Sequence, residues 1–377
     1  MPRACYIHIP FCLSKCKYCS FVSFTSIENT LHLREGQNLR FWGGENITGY
    51  VYSLLKEISE NYTGESLNTL YFGGGTPSLL PLNLAEKIIR KFNLNQNAEI
   101  TFELNPDDGS LDYIKGLKEL GINRLSIGSQ TFDDNLLKLI GRRHNSNQII
   151  QTVQNAKEAG FENISLDFIY GLPTQTVEGV NEDLKKFLEL NIQHISTYGL
   201  KIEGGSYWGN NNPENLPDND TQADMYEGIN EILTNAGFER YEVSNFSKQG
   251  YESKHNLTYW NNEEYYGFGV SAHGYVDGVR YSNYCTLEDY MNKPDSHEYG
   301  RILNEKEKLE EEIFLGFRKT SGINTEKIKQ KFGVDFGDKY KKILEKYSDY
   351  IIKTPIGYAF NFKGTMLSNE ILPEFLS

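Results

Sequence analysis

No stretch of about 18 consecutive apolar residues occurs in this chain, so no helix is expected to cross a membrane. Cysteine is scarce and odd in number: five in 377 residues, with no secretion signal, which argues against a disulfide framework. Met1 lies eleven residues before Cys12 and leaves no room for a signal or transit peptide there, although processing of a precursor would erase one. Basic charge is short as well. The 38 Lys and Arg face 51 Asp and Glu, and at a net charge of −13 the chain as a whole is not expected to bind nucleic acid. A mean hydropathy of −0.53 describes a soluble globular protein, long enough for one large domain and a small one.

The few cysteines are concentrated. Cys12, Cys16 and Cys19 stand in a C-x3-C-x2-C spacing directly after the strand-like run at residues 5–10. Three thiolates on so tight a loop can wrap one face of a [4Fe–4S] cluster, which usually takes four. With three, one iron is left open to a substrate or cofactor. A structural zinc site needs four protein ligands, and His8 or Cys5 could supply the fourth. Three cysteines within eight residues on a Lys-bearing loop are no core pattern, and the cluster is the preferred reading. Free thiols suit a reducing compartment, so a cytoplasmic location is expected.

Six strand-like runs, at residues 5–10, 69–72, 100–105, 124–128, 163–170 and 194–200, alternate with amphipathic stretches such as 51–58, 84–92 and 147–157. Gly160 reads as the C-cap of the last. Alternation implies a parallel sheet, and six βα units are too few to close an eight-stranded barrel. The expected fold is α/β: an open, partial (β/α)6 barrel. Barrel sites form at the C-terminal strand ends, where polar motifs recur here. Gly73-Gly74-Gly75-Thr76-Pro77 follows the second run; it is neither a Rossmann nor a P-loop pattern, and a tight turn would also explain it. Glu103 in the third needs a partner if buried, with capping as the plain alternative. Gln130 and Arg142 follow the fourth, and Asp167 lies in the fifth.

Residues 202–222 shift to Gly, Asn, Asp and Pro and read as an exposed loop leaving the barrel. A helix at 222–236 and a strand-like run at 238–245 come next, and then His255-Asn256-Leu257-Thr258-Tyr259-Trp260. A lone His in such a loop is more often hydrogen-bonded than a ligand. Tyr259 and Trp260 nevertheless offer flat faces to a porphyrin, and imidazole is a common axial ligand to heme iron. The charge run at 305–312 opens a solvated helix. Helices at 323–332 and 339–347 and a hairpin-like end at 350–362 suggest a small α+β, winged-helix-like domain. Nine Lys against five Asp or Glu between Ser321 and Thr365, with no Arg, make a poor footprint for reading DNA. Expected boundaries are 1–203 for the barrel, 204–300 for an extension carrying the candidate heme segment, and 301–377 for the C-terminal domain.

C-x3-C-x2-C followed by aromatic Phe21 resembles the radical S-adenosylmethionine (radical SAM) superfamily. Within it, Tyr6-Ile7-His8-Ile9-Pro10-Phe11-Cys12 resembles the family of oxygen-independent coproporphyrinogen III oxidases and HemW-type heme chaperones. The resemblance runs through nearly the whole chain. It implies a radical SAM barrel whose cluster, on Cys12, Cys16 and Cys19, binds the amino and carboxylate groups of SAM at its open iron. It further implies that Gly74, Gly75 and Thr76 contact the SAM amino group. Glu103, Gln130, Arg142 and Asp167 would hold the methionine carboxylate and ribose hydroxyls, with Tyr6 close to the cluster.

The resemblance also separates the two branches. The oxidases carry a further cysteine two residues after the third, where this chain has Phe21, and a long N-terminal arm. In the chaperones an H-N-x-x-Y-W stretch is associated with heme binding, and it is intact here, which makes His255, Tyr259 and Trp260 the candidate heme residues. The resemblance thus implies a protein that binds heme and passes it to acceptor hemoproteins, meets membranes only through partners, and is not an active oxidase. Homodimerisation stays open. The alternatives are oxidative decarboxylation of coproporphyrinogen III and a cluster-bearing interaction module. Residues 25–48 are longer and less regular than expected before the first helix, either covering the cluster or forming an insertion.

Overall fold

Period-two alternation decides which way each barrel strand faces. The strands are β1 (Ala4–Ile9), β2 (Leu67–Gly74), β3 (Leu94–Leu104), β4 (Arg124–Gln130), β5 (Ile164–Tyr170) and β6 (His194–Gly199), all parallel and adjacent in that order. Ile7, Phe72, Phe102, Ile127, Phe168 and Ile195 are fully buried on one face. Tyr6, Tyr71, Glu103, Ser126, Asp167 and Ser196 alternate with them and point into the lumen. The register sets Tyr6 beside Tyr71, Glu103 beside Ser126, and Asp167 beside Ser196. The computed structural model describes residues 1–25 and 45–376. Residues 26–44 of the 25–48 segment singled out in the sequence therefore lie outside the described residues.

Helices α1 (Glu45–Asn61), α2 (Leu82–Ile89), α3 (Leu111–Glu119), α4 (Asp134–Leu139), α5 (Ser146–Glu158) and α6 (Val177–Glu189) make the crossovers. Each has a local cause. Asn145 and Gln148 form a capping box at the start of α5, whose buried Ile149, Val153 and Ala156 share one face. Gly160, left-handed at φ 82°, follows its end. Thr176 caps α6, and Phe187 on its inner face meets Phe168 edge-on at 5.4 Å. Burying each such side chain stabilises by roughly 1.5–3 kcal/mol.

The sheet remains open and gains short strands at both edges. On the β6 side lie α7 (Tyr207–Asn210), α8 (Asn219–Asn235), and an antiparallel pair, β7 (Glu239–Arg240) and β8 (Asn245–Ser247). The single strand expected at 238–245 is thus split where Tyr241 turns back to Asn245. On the β1 side, α9 (Lys254–Trp260) precedes β9 (Tyr266–Phe268), which pairs parallel to β1. Beyond it β10 (His273–Val276), β11 (Val279–Ser282), α10 (Leu287–Asn292) and β12 (Tyr299–Ile302) form a three-stranded antiparallel meander with one helical crossing.

The C-terminal domain opens with α11 (Glu305–Gly316), capped by Asn304 and Glu307. Its helix α12 (Thr325–Phe332) packs beside a second antiparallel sheet of β13 (Ile323–Asn324), β14 (Ile351–Thr354) and β15 (Gly357–Phe360). Phe317, Phe336, Phe360 and Phe375 belong to a core of its own. Among the described residues no helix is long and apolar enough to cross a membrane.

Residues 202–222 are largely the exposed segment expected, with Ser206 and Trp208 buried. They fold back over the cysteine loop through α7, where Trp208 is only 4 % exposed. The Trp208 N–H donates to Lys17 O at 2.9 Å, and Ser20 donates to Glu203 at 2.6 Å. Trp208→Ala is expected to cost about 3–5 kcal/mol in urea unfolding. An unchanged midpoint would show that this seat carries no stability.

Candidate functional site

The cysteine loop is closed at its base and clamped at its tip. Phe24 N–H donates to Pro10 O at 2.7 Å and Cys12 N–H to Phe24 O at 3.1 Å, while Lys17 N–H donates to Ile140 O at 3.0 Å. All three cysteines are free and half-buried. They line one cavity of about 470 Å³, together with Gly74, Gly75, Thr76, Glu103, Gln130, Arg142 and Asp167. The strand-end residues chosen from sequence therefore converge, with one exception. Tyr6 stands below this lining, its hydroxyl 3.0 Å from His8 Nδ1 and its ring stacked on Tyr71 at 6.1 Å.

A polar arc connects two of the thiols across three strand ends. Thr76 Oγ1 donates to Cys12 Sγ at 3.4 Å and accepts from Asn105 Nδ2 at 3.2 Å. Arg142 Nη2 donates to Asn105 Oδ1 at 2.6 Å and to Gly128 O at 2.7 Å, and Nη1 reaches Cys16 Sγ at 3.6 Å. Its Nε is buried without a partner among the described residues. Gln130, at φ 66° beside an irregularity in the β4–β5 register, is held in a left-handed conformation unusual for its type.

Below the arc the lumen carries charge. Burial pushes Glu103 up to about 7, with the Asp167 carboxylate adding to the shift and the Tyr71 hydroxyl, donating at 2.8 Å, opposing it. Burial also raises Asp167, against donors from Ser196 and Ser126. The lining includes Arg124, Tyr71, Ser196 and Tyr198, which the motif reading passed over. Their signal was the polar half of each strand's alternation. Arg124 is 2 % exposed, and its Nε has no partner among the described residues.

The four-ligand zinc alternative is not assembled. His8 engages Tyr6 and Val22 O with its two ring nitrogens, and Cys5 is buried in the apolar core. His255 is 1 % exposed, with Nδ1 at 2.8 Å from Thr69 Oγ1 and Nε2 at 2.7 Å from Tyr259 Oη. Neither nitrogen is available to iron unless one of these bonds breaks. Trp260 Nε1 is buried without a partner among the described residues.

Comparison with known proteins bears on this site. The sequence pattern of the radical SAM superfamily matches residues 6–187, and that of the HemN C-terminal domain matches 303–349. A protein named heme chaperone HemW from Lactococcus lactis is 39 % identical over 100 % of this chain and 97 % of its own. The chain belongs to the HemW family of radical SAM proteins. HemW from Bacillus subtilis is 35 % identical, with 99 % of each chain covered. Coproporphyrinogen III oxidase (HemN) from Escherichia coli superposes with a TM-score of 0.83 over 100 % of this chain and 90 % of its own. At 23 % identity that likeness establishes the α/β barrel fold alone. Family membership implies a [4Fe–4S] cluster and SAM, and the donor set fits them: three free thiols on one rim, two of them already accepting hydrogen bonds.

Glycine is required where β2 meets the cysteine loop. Gly74 is at φ 113°, and a Cβ there would lie 2.6 Å from the His8 ring; one on Gly75 would lie 2.8 Å from Phe11 O. Gly74→Ala is expected to destabilise the fold by about 2–3 kcal/mol. The measurement is the denaturant midpoint, and a shift no larger than that of a surface Gly→Ala would refute the packing argument.

Proposed function

We propose that this protein is a cytoplasmic heme chaperone that binds heme, holds a [4Fe–4S] cluster with SAM, and passes heme to acceptor hemoproteins. The observation that carries this reading is the end-to-end likeness, at 39 % identity, to a protein named for that role. In it Cys12, Cys16 and Cys19 hold the cluster, with Thr76 and Arg142 donating to the thiolates of Cys12 and Cys16. Gly74 and Gly75 let the SAM amino group approach the backbone, and Glu103, Gln130, Arg142 and Asp167 take its carboxylate and hydroxyls. Arg suits a carboxylate through its planar fork, and a carboxylate accepts from vicinal hydroxyls. The cluster and SAM supply one-electron chemistry when bound.

The oxidase alternative has only the fold on its side. Where the oxidases carry their further cysteine stands Phe21, 66 % exposed on the cavity rim. The deciding assay uses one anaerobically reconstituted sample. It is expected to transfer heme to an apo-hemoprotein and to leave coproporphyrinogen III unchanged with SAM and reductant present. Multiple turnovers of coproporphyrinogen would overturn the chaperone assignment.

The lumen carboxylates make SAM binding depend on pH. SAM carries net positive charge, so it favours ionised Glu103, whose proton leaves at about 7. Affinity should therefore fall as pH falls through 7, roughly tenfold between pH 8 and 6 as the ionised fraction drops. Glu103→Gln should flatten that profile. A wild-type affinity independent of pH over this range would remove Glu103 from the SAM site.

A further inference from the structure

One charge in the barrel lumen takes no part in the arc above it. Arg124 opens β4, two residues below Ser126 on the same strand face, and Thr101 lies beside it in register. It is only 2 % exposed, yet it lines the cysteine cavity. No hydrogen bond or ion pair of its guanidinium exists among the described residues, and the neighbouring Thr101 hydroxyl is likewise unpartnered among them. Packing does not call for such a group. Replacing a buried charge by an apolar side chain of similar volume is often neutral or stabilising. What this position supplies is charge.

The titratable groups facing the lumen charges sort into two kinds. Tyr6 from β1, Tyr71 from β2, Tyr198 and His194 from β6, Tyr241 after β7 and His255 from α9 are neutral near pH 7. Burial holds the tyrosines up and the histidines down. Both histidines also have their two ring nitrogens engaged, His194 with Ser165 and Tyr241, His255 with Thr69 and Tyr259.

Glu103 on β3 and Asp167 on β5 are the second kind. Glu103 is the register neighbour of Ser126, so Arg124 stands one diagonal step below it, and Ser126 donates to Asp167 at 3.2 Å. At that range a guanidinium acts on both through space. Its charge lowers each carboxyl against the burial that raises it. The other arginine near Asp167, Arg142, is committed to Asn105 and Gly128 O.

We propose that Arg124 is a positioning residue for SAM: from beneath, its fixed charge keeps Glu103 and Asp167 as the carboxylates that a cationic ligand requires. This rests on the SAM reading of the lumen and gives the charge below it a task. The test is SAM affinity of the anaerobically reconstituted protein, without reductant, by equilibrium dialysis from pH 6 to 8.5. Arg124→Met should move the midpoint of the pH profile up by about one unit. SAM would then bind about fivefold more weakly at pH 7 but within about twofold of wild type at pH 8.5. Arg124→Lys, which keeps the charge, should keep the wild-type midpoint. Arg124→Gln, polar but neutral, should behave as Arg124→Met, and it decides the matter if the methionine variant loses its cluster. Affinity lowered by one factor at every pH would make Arg124 a packing residue and overturn the proposal, leaving the SAM reading standing. An unchanged profile, or loss of the cluster from both neutral variants, would overturn it too. A flat wild-type profile would remove Glu103 from the SAM site and overturn both.

Discussion

How closely the end of β2 can approach the end of β1 governs the whole upper rim of this barrel. Two glycines set that distance, because the His8 ring and Phe11 carbonyl occupy the places where their Cβ atoms would be. With the approach made, Gly75 N–H bonds Ile9 O at 2.8 Å, and Thr76 comes within reach of Cys12. From Thr76 the polar arc runs through Asn105 and Arg142 to Cys16, so the third and fourth strand ends are aligned to the same point. A displaced β2 would break the arc at its first bond. The geometry of the thiols therefore depends on a backbone contact, which an added methyl group is enough to forbid.

The lumen beneath is arranged against stability. Glu103 and Asp167 are drawn into a half-buried lumen, and the Arg124 Nε beside them is buried without a partner among the described residues, which costs free energy. The shell of helices on the other face of the strands offsets this through the fully buried rings and aliphatics of β1 to β6. Concentrated polar burial on one face and apolar burial on the other is the pattern of a barrel built to hold a charged ligand. It also accounts for Glu103, which burial and the neighbouring Asp167 charge push up to about 7.

Legibility in the sequence followed the range of the interactions. The six barrel strands and their order were readable because alternation is local, and so were the strand-end residues from Gly74 to Asp167 that now line one cavity. Arg124 was not, because a charge opening a strand reads as solvated until the neighbouring strands bury it. Strand β9 is three residues long and exists by pairing with β1, some 260 positions earlier, so no local pattern announces it. Trp208 lay in a Gly-, Asn- and Pro-rich stretch whose composition outweighed one buried indole. In each case the missing information was a partner distant in the chain.

The same argument applies to α9, where the motif was legible and its orientation was not. A seven-residue helix advances about 100° per residue, so positions four apart share a face while adjacent ones diverge. His255 and Tyr259 are four apart and bond to one another; Asn256, one step round, lines the cysteine cavity, and Tyr259 lines a second cavity, of about 830 Å³, between the β10–β12 sheet and α11. One turn of helix thus addresses two cavities, with an imidazole between them. A ligand that drew the Tyr259 hydroxyl outward would free His255 Nε2. A change at Tyr71, stacked on the opposite face of that imidazole, would reach Tyr259 through the same ring.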